Sequence, residues 1–172
     1  MESFLNPVET LKQLKLRKNM IAADFGSGSG GWAVPLAREL EDGKVYAVDL
    51  LEEPLSALRA RAKMERISNI QTILADVEKE IAPLRDASCN LVLMTNLFFQ
   101  CQDMRKILSE SKRVLKPDGR IMIVDWQKDN PLTEQVEKVS FEEIKRTALS
   151  LDLKVEKEFD AGPYHYAIIL VR

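Results

Sequence analysis

The 172-residue sequence predicts an open, doubly wound α/β sheet that ends in an antiparallel hairpin. Short apolar runs rich in β-branched residues alternate with longer segments of helical period, which is typical of strand–helix units. A glycine-rich stretch at 26–31 directly follows the first apolar run. The last two apolar runs are separated only by residues 160–165, which is short enough for a hairpin.

The elements can be placed in order along the chain. Asn6 and Pro7 open the first helix, as a side-chain cap and a first-turn proline. Asp103 is expected to cap a later helix, and Ser140 begins a capping box for the last one. The predicted strands are 20–25, 44–48, 70–74, 91–95, 120–126, 154–159 and 166–171. An alternative start of the fourth strand is residue 89. The predicted helices after the first are 32–40, 54–66, 104–115 and 140–149, with a turn at 116–119.

Length and continuity predict one domain over residues 1–172. Within it we distinguish an N-terminal helical segment (1–18), a ligand-binding core (19–126), and the last helix with the hairpin (127–172). The continuous apolar run at 91–95 predicts a central strand that is covered on both faces. Five strand–helix units followed by the hairpin make up this predicted architecture.

Charge, cysteine content and hydropathy argue against nucleic-acid binding, a disulfide framework and a membrane span. A net charge of −2 gives no general attraction to phosphate backbones, so nucleic-acid binding is not indicated. Two cysteines are too few for a disulfide framework. The N-terminus does not resemble a signal peptide, and no stretch approaches a membrane span. We therefore expect a cytoplasmic protein without a membrane partner, as a monomer or homodimer.

The glycine stretch is the strongest functional signal. In a doubly wound sheet, ligands bind at the carboxyl ends of the strands beside the first one, which is where residues 26–31 lie. Glycines let the backbone turn sharply and approach a ligand closely. The pattern Gly26-x-Gly28-x-x-Gly31 also matches the dinucleotide fingerprint, so an NAD(P)-linked cofactor is the alternative to an S-adenosyl cofactor.

Three aspartates discriminate between these cofactors. Asp49 ends the second strand, where an acid accepts hydrogen bonds from ribose hydroxyls, and Asp76 follows the third strand, where a carboxylate can accept from the adenine amino group. Asp24 lies two residues before the first glycine. Beside a pyrophosphate its charge would be repelled, whereas beside the ammonium and sulfonium of S-adenosylmethionine it would be attracted. The residues therefore favour S-adenosylmethionine.

Five segments, in this order, resemble the successive motifs of the class I S-adenosylmethionine-dependent methyltransferases, and most closely the UbiE-like group that acts on small molecules. They are AADFGSGSGGWAVPLA, YAVDL, LADVEK, NLVLMTNLFFQ and RVLKPDGRIMIVDW. The resemblance covers nearly the whole chain. It implies a Rossmann-like sheet of seven mostly parallel strands with an antiparallel last strand. It also implies S-adenosylmethionine as methyl donor, S-adenosylhomocysteine as product, and a small-molecule or protein acceptor.

The same resemblance implies a set of cofactor-binding residues. They are Asp24, Gly26, Ser27 and Gly28 for the methionine portion, Asp49 for the ribose, Leu50, Asp76 and Val77 for the adenine, and Asn96 near the reacting methyl group. Many members of the family carry a histidine shortly after that asparagine. Here residues 97–100 are Leu-Phe-Phe-Gln, so no catalytic base is carried over from this position.

Methyl transfer is an in-line displacement that depends mainly on alignment, and a base is needed only when the acceptor must lose a proton. The weak catalytic candidates are Asn96, Asp125 and His165. His165 is the only histidine, and its alternative interpretation is a structural residue of the hairpin, too far away to act. Trp126 is either an acceptor-pocket wall or a core aromatic. No cluster has metal-ligand spacing, so no metal is expected.

Acceptor specificity is expected from residues 1–16, 97–104 and 127–139, which lie outside the core sheet. Cys101, in the second of these segments, resembles the thiols used by arsenite methyltransferases, although an inert thiol is the simpler interpretation. Two rival functions remain: an NAD(P)-linked reductase, and a non-catalytic module that binds S-adenosylmethionine or S-adenosylhomocysteine.

Overall fold

The computed structural model describes residues 5–127 and 139–172. The strands are β1 (Ile21–Phe25), β2 (Lys44–Asp49), β3 (Ile70–Leu74), β4 (Cys89–Thr95), β5 (Leu115–Trp126), β6 (Lys154–Asp160) and β7 (His165–Val171). The helices are α1 (Pro7–Leu11), α2 (Ala33–Glu39), α3 (Glu52–Met64), α4 (Met104–Val114) and α5 (Phe141–Leu149), with a 3₁₀ turn at Phe98–Gln100. Within the described residues, no helix has the length and apolarity needed to cross a membrane.

The strands form one seven-stranded sheet in the order β3-β2-β1-β4-β5-β7-β6. Strands β1 to β5 pair in parallel, and β7 is antiparallel to both of its neighbours. The predicted fold class, with its antiparallel last strand, is confirmed. The strand order reverses between β1 and β4, so the carboxyl ends of these two strands flank the crevice in which such sheets bind ligands.

Strand β4 is central, as its apolar run predicted. Val92 and Met94 belong to the apolar layer formed with α4 and α5, whereas Leu91 and Leu93 belong to the layer formed with α1, α2 and α3. All four side chains are buried. Because helices cover both faces of the sheet at β4, a ligand beside this strand is expected to bind at its end.

The three predicted helix caps are confirmed. The side chain of Asn6 accepts hydrogen bonds from the amides of Val8 and Glu9 at the start of α1. Asp103 accepts from the amide of Lys106 at the start of α4, and Ser140 accepts from that of Glu143 at the start of α5. Each short polar side chain satisfies an amide that has no partner within its own helix.

Two predictions about the connections are wrong. Residues 116–119, predicted as a turn, belong to β5, which begins at Leu115. The pairing with β4 jumps from Cys89 opposite Leu115 to Leu91 opposite Arg120, so the extra residues are accommodated as an irregularity in the strand. In addition, residues 75–88 form no helix between β3 and β4, so the third strand–helix unit is absent.

Candidate cofactor site

A cavity of about 350 Å³ opens at the carboxyl ends of β1, β2 and β3. It lies at the place where the topology predicts a ligand. Six of the predicted cofactor-binding residues line it: Gly26, Gly28, Asp49, Leu50, Asp76 and Val77. Seven residues that were not predicted to bind the cofactor line it as well: Leu51, Pro54, Ala75, Glu78, Leu97, Gln100 and Cys101.

The glycine loop uses a different glycine pattern from the dinucleotide fingerprint. In that fingerprint the third glycine allows close helix–strand packing. A Cβ atom on Gly31 would meet nothing within 4 Å, whereas one on Gly30 would lie 2.3 Å from Cδ1 of Leu58. The tightly packed glycine is therefore Gly30, and the literal match at Gly31 has no packing role. The literal match at Gly31 therefore does not reproduce the packing of the dinucleotide fingerprint, which weighs against an NAD(P) site.

Gly26 is fixed by two independent constraints. Its φ of +74° lies in the left-handed region, which side chains rarely adopt. A Cβ atom there would also lie 2.7 Å from Cδ1 of Leu97, which follows β4. Glycine at this position therefore brings the loop after β1 into direct contact with the segment after β4.

Asp49 holds the loop in place through its carboxylate. Its Oδ2 accepts a hydrogen bond from the amide of Gly28 at 2.8 Å, and its Oδ1 accepts from the amide of Leu51 at 3.0 Å. A carboxylate oxygen can accept more than one hydrogen bond. Because Asp49 lines the cavity, its oxygens can still accept from the hydroxyl groups of a ligand.

Three polar side chains at the ends of β1 and β4 have buried oxygen atoms without a hydrogen-bond partner in the described structure, and none of the three lines the cavity. These atoms are both carboxyl oxygens of Asp24, Oγ of Ser27 and Oδ1 of Asn96. Burial, and next the charge of Asp49, raise the pKa of Asp24 to about 7. Buried acceptors without donors are unfavourable, so this region beside the glycine loop suits a ligand group that brings positive charge and N–H donors.

The part of the cavity formed by the residues after β2 and β3 combines a polar edge with an apolar surface. The Asp76 carboxylate accepts from the amide of Glu78 at 3.0 Å and pairs with Lys79 at 3.1 Å. These two contacts lower the pKa of Asp76, so it is ionised. Val77 is buried beside it, and Leu50 leaves 65% of its surface exposed. An exposed leucine beside a cavity provides apolar surface for a planar ring.

None of the three catalytic candidates lines the cavity, and two of them, Asp125 and His165, are buried. Asp125 accepts hydrogen bonds from the amides of Phe98 at 3.3 Å and Trp126 at 2.8 Å, and burial raises its pKa to about 6. His165 pairs with Trp126 across β5 and β7, and their rings lie 4.0 Å apart. Burial lowers the pKa of His165 to about 4. Strand β7, which begins at His165, lies between β5 and β6 rather than at the edge of the sheet, so His165 is enclosed by its neighbours.

Asn96, the third candidate, lies immediately after β4 with a φ of +48°. It does not line the cavity itself, but its neighbour Leu97 does. Its carbonyl oxygen accepts a hydrogen bond from the side-chain amide of Gln100 at 3.1 Å. The left-handed backbone directs the chain away from the strand and into the segment that closes one side of the cavity.

Cys101 lines the cavity but is poorly suited to thiol chemistry. Its Sγ donates to the carbonyl of Leu97 at 3.3 Å. Burial, and then the carboxylates of Glu78, Asp76 and Asp125, raise its pKa to about 12. The thiolate is the reactive form, so this cysteine is unreactive at neutral pH.

Residues 23–123 match the family described as a methyltransferase domain, and this match spans most of the sheet and the whole glycine loop. The chain belongs to the methyltransferase domain family. The resemblance to class I methyltransferases seen in the sequence is thereby confirmed.

Individual proteins similar to this methyltransferase domain support the same assignment. A structure described as a SAM dependent methyltransferase from Aquifex aeolicus superposes with a TM-score of 0.85 at 26% identity, covering 97% of this chain and 89% of that one. The demethylmenaquinone methyltransferase of Listeria welshimeri is 27% identical over 123 residues, 71% of this chain and 51% of that protein. The arsenite methyltransferase of Halobacterium salinarum is 28% identical over 115 residues, 66% of this chain and 29% of that protein. The matched part of the chain is thus about half the length of the first relative and less of the second.

Proposed function

We propose that this domain binds S-adenosylmethionine in the cavity and transfers its methyl group to an acceptor, leaving S-adenosylhomocysteine. The group of buried, unpartnered oxygens on Asp24, Ser27 and Asn96 carries this proposal. The methionine portion of the cofactor brings an ammonium group, which has three N–H donors and a positive charge. A pyrophosphate would bring negative charge and no donors to the same place.

The rest of the cavity fits the adenosine portion. Asp49, whose oxygens remain accessible from the cavity, accepts from the ribose hydroxyls. Asp76 and the backbone of Val77 contact the polar edge of the adenine, and Leu50 covers one face of the ring. Asp49 and Leu50 stand at the end of β2, and Asp76 and Val77 follow β3, so together with the glycine loop after β1 they hold the cofactor between three strand ends.

Methyl transfer depends more on the alignment of the methyl carbon with the acceptor than on a reacting side chain. When bound, the cofactor supplies a methyl carbon that is activated by the adjoining sulfonium. The residues of this chain fix that carbon in place and shield it from water, which lowers the barrier through orientation. Asn96 lies at the end of β4 beside the methionine portion, and we assign it a positioning role there. Asp125 and His165 hold the structure around β5 and β7.

The acceptor approaches from the side formed by residues 97–104 and by the segments that flank the sheet. Of the predicted specificity segments, residues 1–4 and 128–138 lie outside the described residues. The names of the relatives indicate a quinol or an arsenic compound as acceptors to test first. The high pKa of Cys101 argues against a thiol-dependent arsenite reaction and so favours an organic acceptor.

The test is an acceptor screen with methyl-labelled S-adenosylmethionine. Quinols, phenols, amines, thiols, arsenite and proteins are incubated separately, and both S-adenosylhomocysteine and acceptor label are measured. We expect product with one acceptor class, and its loss in Asp49→Ala but not in the exposed control Asp42→Asn. Binding without product from any acceptor would instead favour the non-catalytic binding module.

A further inference from the structure

One wall of the cavity is formed by the segment Leu97–Asp103, which we call the roof segment. It leaves β4, forms the 3₁₀ turn, and enters α4. Leu97, Gln100 and Cys101 contribute its lining side chains. Leu97 also packs against the glycine loop at Gly26. The roof segment, which belongs to the stretch 97–104 expected to contribute to acceptor specificity, is therefore part of the cavity wall.

A single carboxylate joins the roof segment to the opposite wall. Glu78 follows β3 and lines the cavity beside Asp76 and Val77. Its Oε1 accepts a hydrogen bond from the amide of Gln102 at 2.8 Å, and its Oε2 accepts from the amide of Asp103 at 3.1 Å. Both oxygens of one side chain are thus used to hold backbone that lies 24 and 25 residues further along the chain.

The backbone of Glu78 is tied to the proposed adenine contacts. Its amide donates to Asp76 at 3.0 Å, so Asp76, Val77 and Glu78 form one tight turn. At the other end of the roof segment, the buried Asp125 accepts from the amide of Phe98 at 3.3 Å. The roof segment is therefore held at both ends by carboxylates from other strand ends, and only Glu78 also lines the cavity.

Helix capping alone does not account for Glu78. The start of α4 already has its own cap, because Asp103 accepts from the amide of Lys106 at 3.2 Å. Glu78 adds two further bonds to amides that precede the helix. Hydrogen bonds to a charged group are stronger than those between neutral groups, so these bonds hold the roof segment in its position.

We propose that Glu78 is a positioning residue that couples cofactor binding to the roof segment. Adenine contacts at Asp76 and Val77 restrain the turn, and the Glu78 carboxylate passes that restraint to Gln102 and Asp103. Coupling of this kind is reciprocal, so the held roof segment also strengthens cofactor binding. The proposal rests on the proposed function, because it assigns the adenine to this end of the cavity.

The test is hydrogen–deuterium exchange of residues 97–103 with and without saturating S-adenosylhomocysteine. Three proteins are compared: the natural chain, Glu78→Gln, and Glu80→Gln. Glu80 is exposed two residues further along and makes no hydrogen bond or ion pair in the described structure, so it provides the same change of charge as a control. Thermal melting shows that each variant is folded.

We expect the unliganded Glu78→Gln protein to exchange in the roof segment about tenfold faster than the natural chain, as loss of one charge-assisted bond predicts. Saturating S-adenosylhomocysteine should slow exchange there in the natural chain and in Glu80→Gln, but much less in Glu78→Gln, whose affinity falls about tenfold. Equal slowing in all three proteins would overturn the coupling and leave a purely structural cap.

The two proposals fail in different ways. If the natural chain binds no S-adenosylhomocysteine, the proposed function is wrong, and the coupling to that ligand is wrong with it. If the natural chain binds and the unliganded Glu78→Gln protein exchanges at the natural rate, the proposed function stands and the positioning role of Glu78 is overturned.

Discussion

The amide of Gly28 donates a hydrogen bond to Oδ2 of Asp49 across 2.8 Å, and this contact joins the glycine loop to the end of the neighbouring strand β2. The hydrogen bond therefore restrains the glycine loop against the end of β2. The same carboxylate lines the cavity, so in the proposed function Asp49 both shapes the loop and presents acceptors to the ribose.

Replacing Asp49 should weaken cofactor binding strongly. In Asp49→Ala both the ribose contacts and the support for Gly28 are lost, and hydrogen bonds to a charged group contribute about 1.5–3 kcal/mol each. We expect the Kd for S-adenosylhomocysteine to rise about 30-fold or more by calorimetry. The exposed Asp42→Asn serves as control and should bind normally. An unchanged Kd in Asp49→Ala would contradict the ribose assignment.

Cofactor binding should depend on pH through Asp24. With a pKa of about 7 in the unliganded protein, this carboxyl is mostly ionised at pH 8 and mostly protonated at pH 6. Only the ionised form attracts the ammonium group, so affinity for S-adenosylhomocysteine should fall about tenfold from pH 8 to pH 6. Calorimetry at constant ionic strength measures this. The dependence should disappear in Asp24→Asn, and its persistence there would assign it to another group.

Asp24 should also destabilise the folded protein at pH 8 in the absence of cofactor. Its pKa rises from 3.8 to about 7 on folding, so it favours the folded state at low pH, and that advantage is lost as the pH rises from about 4 to about 7. Asp24→Asn should therefore stabilise the unliganded protein at pH 8, by on the order of 2 kcal/mol, and by less at pH 5. Urea unfolding at the two pH values measures the difference. A larger gain at pH 5 would show that the sign is wrong.

The two glycines at positions 26 and 31 should respond differently to alanine. Gly26→Ala places a side chain in the left-handed region and against Leu97, which should cost about 1–2 kcal/mol of stability and most of the cofactor affinity. Gly31→Ala meets nothing within 4 Å and should be nearly neutral in both respects. Melting curves and calorimetry on both variants provide the comparison. A large loss of cofactor affinity in Gly31→Ala would contradict this account and support the dinucleotide interpretation of the glycine loop.

Most of the fold follows from local signals in the sequence. β3 was predicted at 70–74 and is found there, and the caps at Asn6, Asp103 and Ser140 form because each depends on residues within one turn. The start of β5 was not predictable in this way. Pro117 and Gly119 are typical turn residues, and residues 116–119 have no partner on β4, but the pairs on either side of them, at Leu115 and Arg120, include the segment in the strand. Tertiary pairing overrides local preference at this point.

The residues of the candidate site also include some that the sequence could predict and some that it could not. Asp24, Asp49 and Asp76 were predictable because the topology requires each to stand at a strand end beside the crevice. Glu78 and the roof segment were not, because their contacts join residues 24 and 25 positions apart. Nor did the sequence show that Gly30, rather than Gly31, is the tightly packed glycine. The distinction depends on Leu58 of α3, whose position only the folded chain defines.

The most direct test of the central claim is calorimetry of the natural chain with S-adenosylmethionine, S-adenosylhomocysteine and NADH. The unpartnered oxygens of Asp24, Ser27 and Asn96, and the packing of the glycine loop, predict saturable binding of both sulfur nucleosides and none of NADH. Binding of NADH without binding of either sulfur nucleoside would contradict the assignment of this site to a methyl donor.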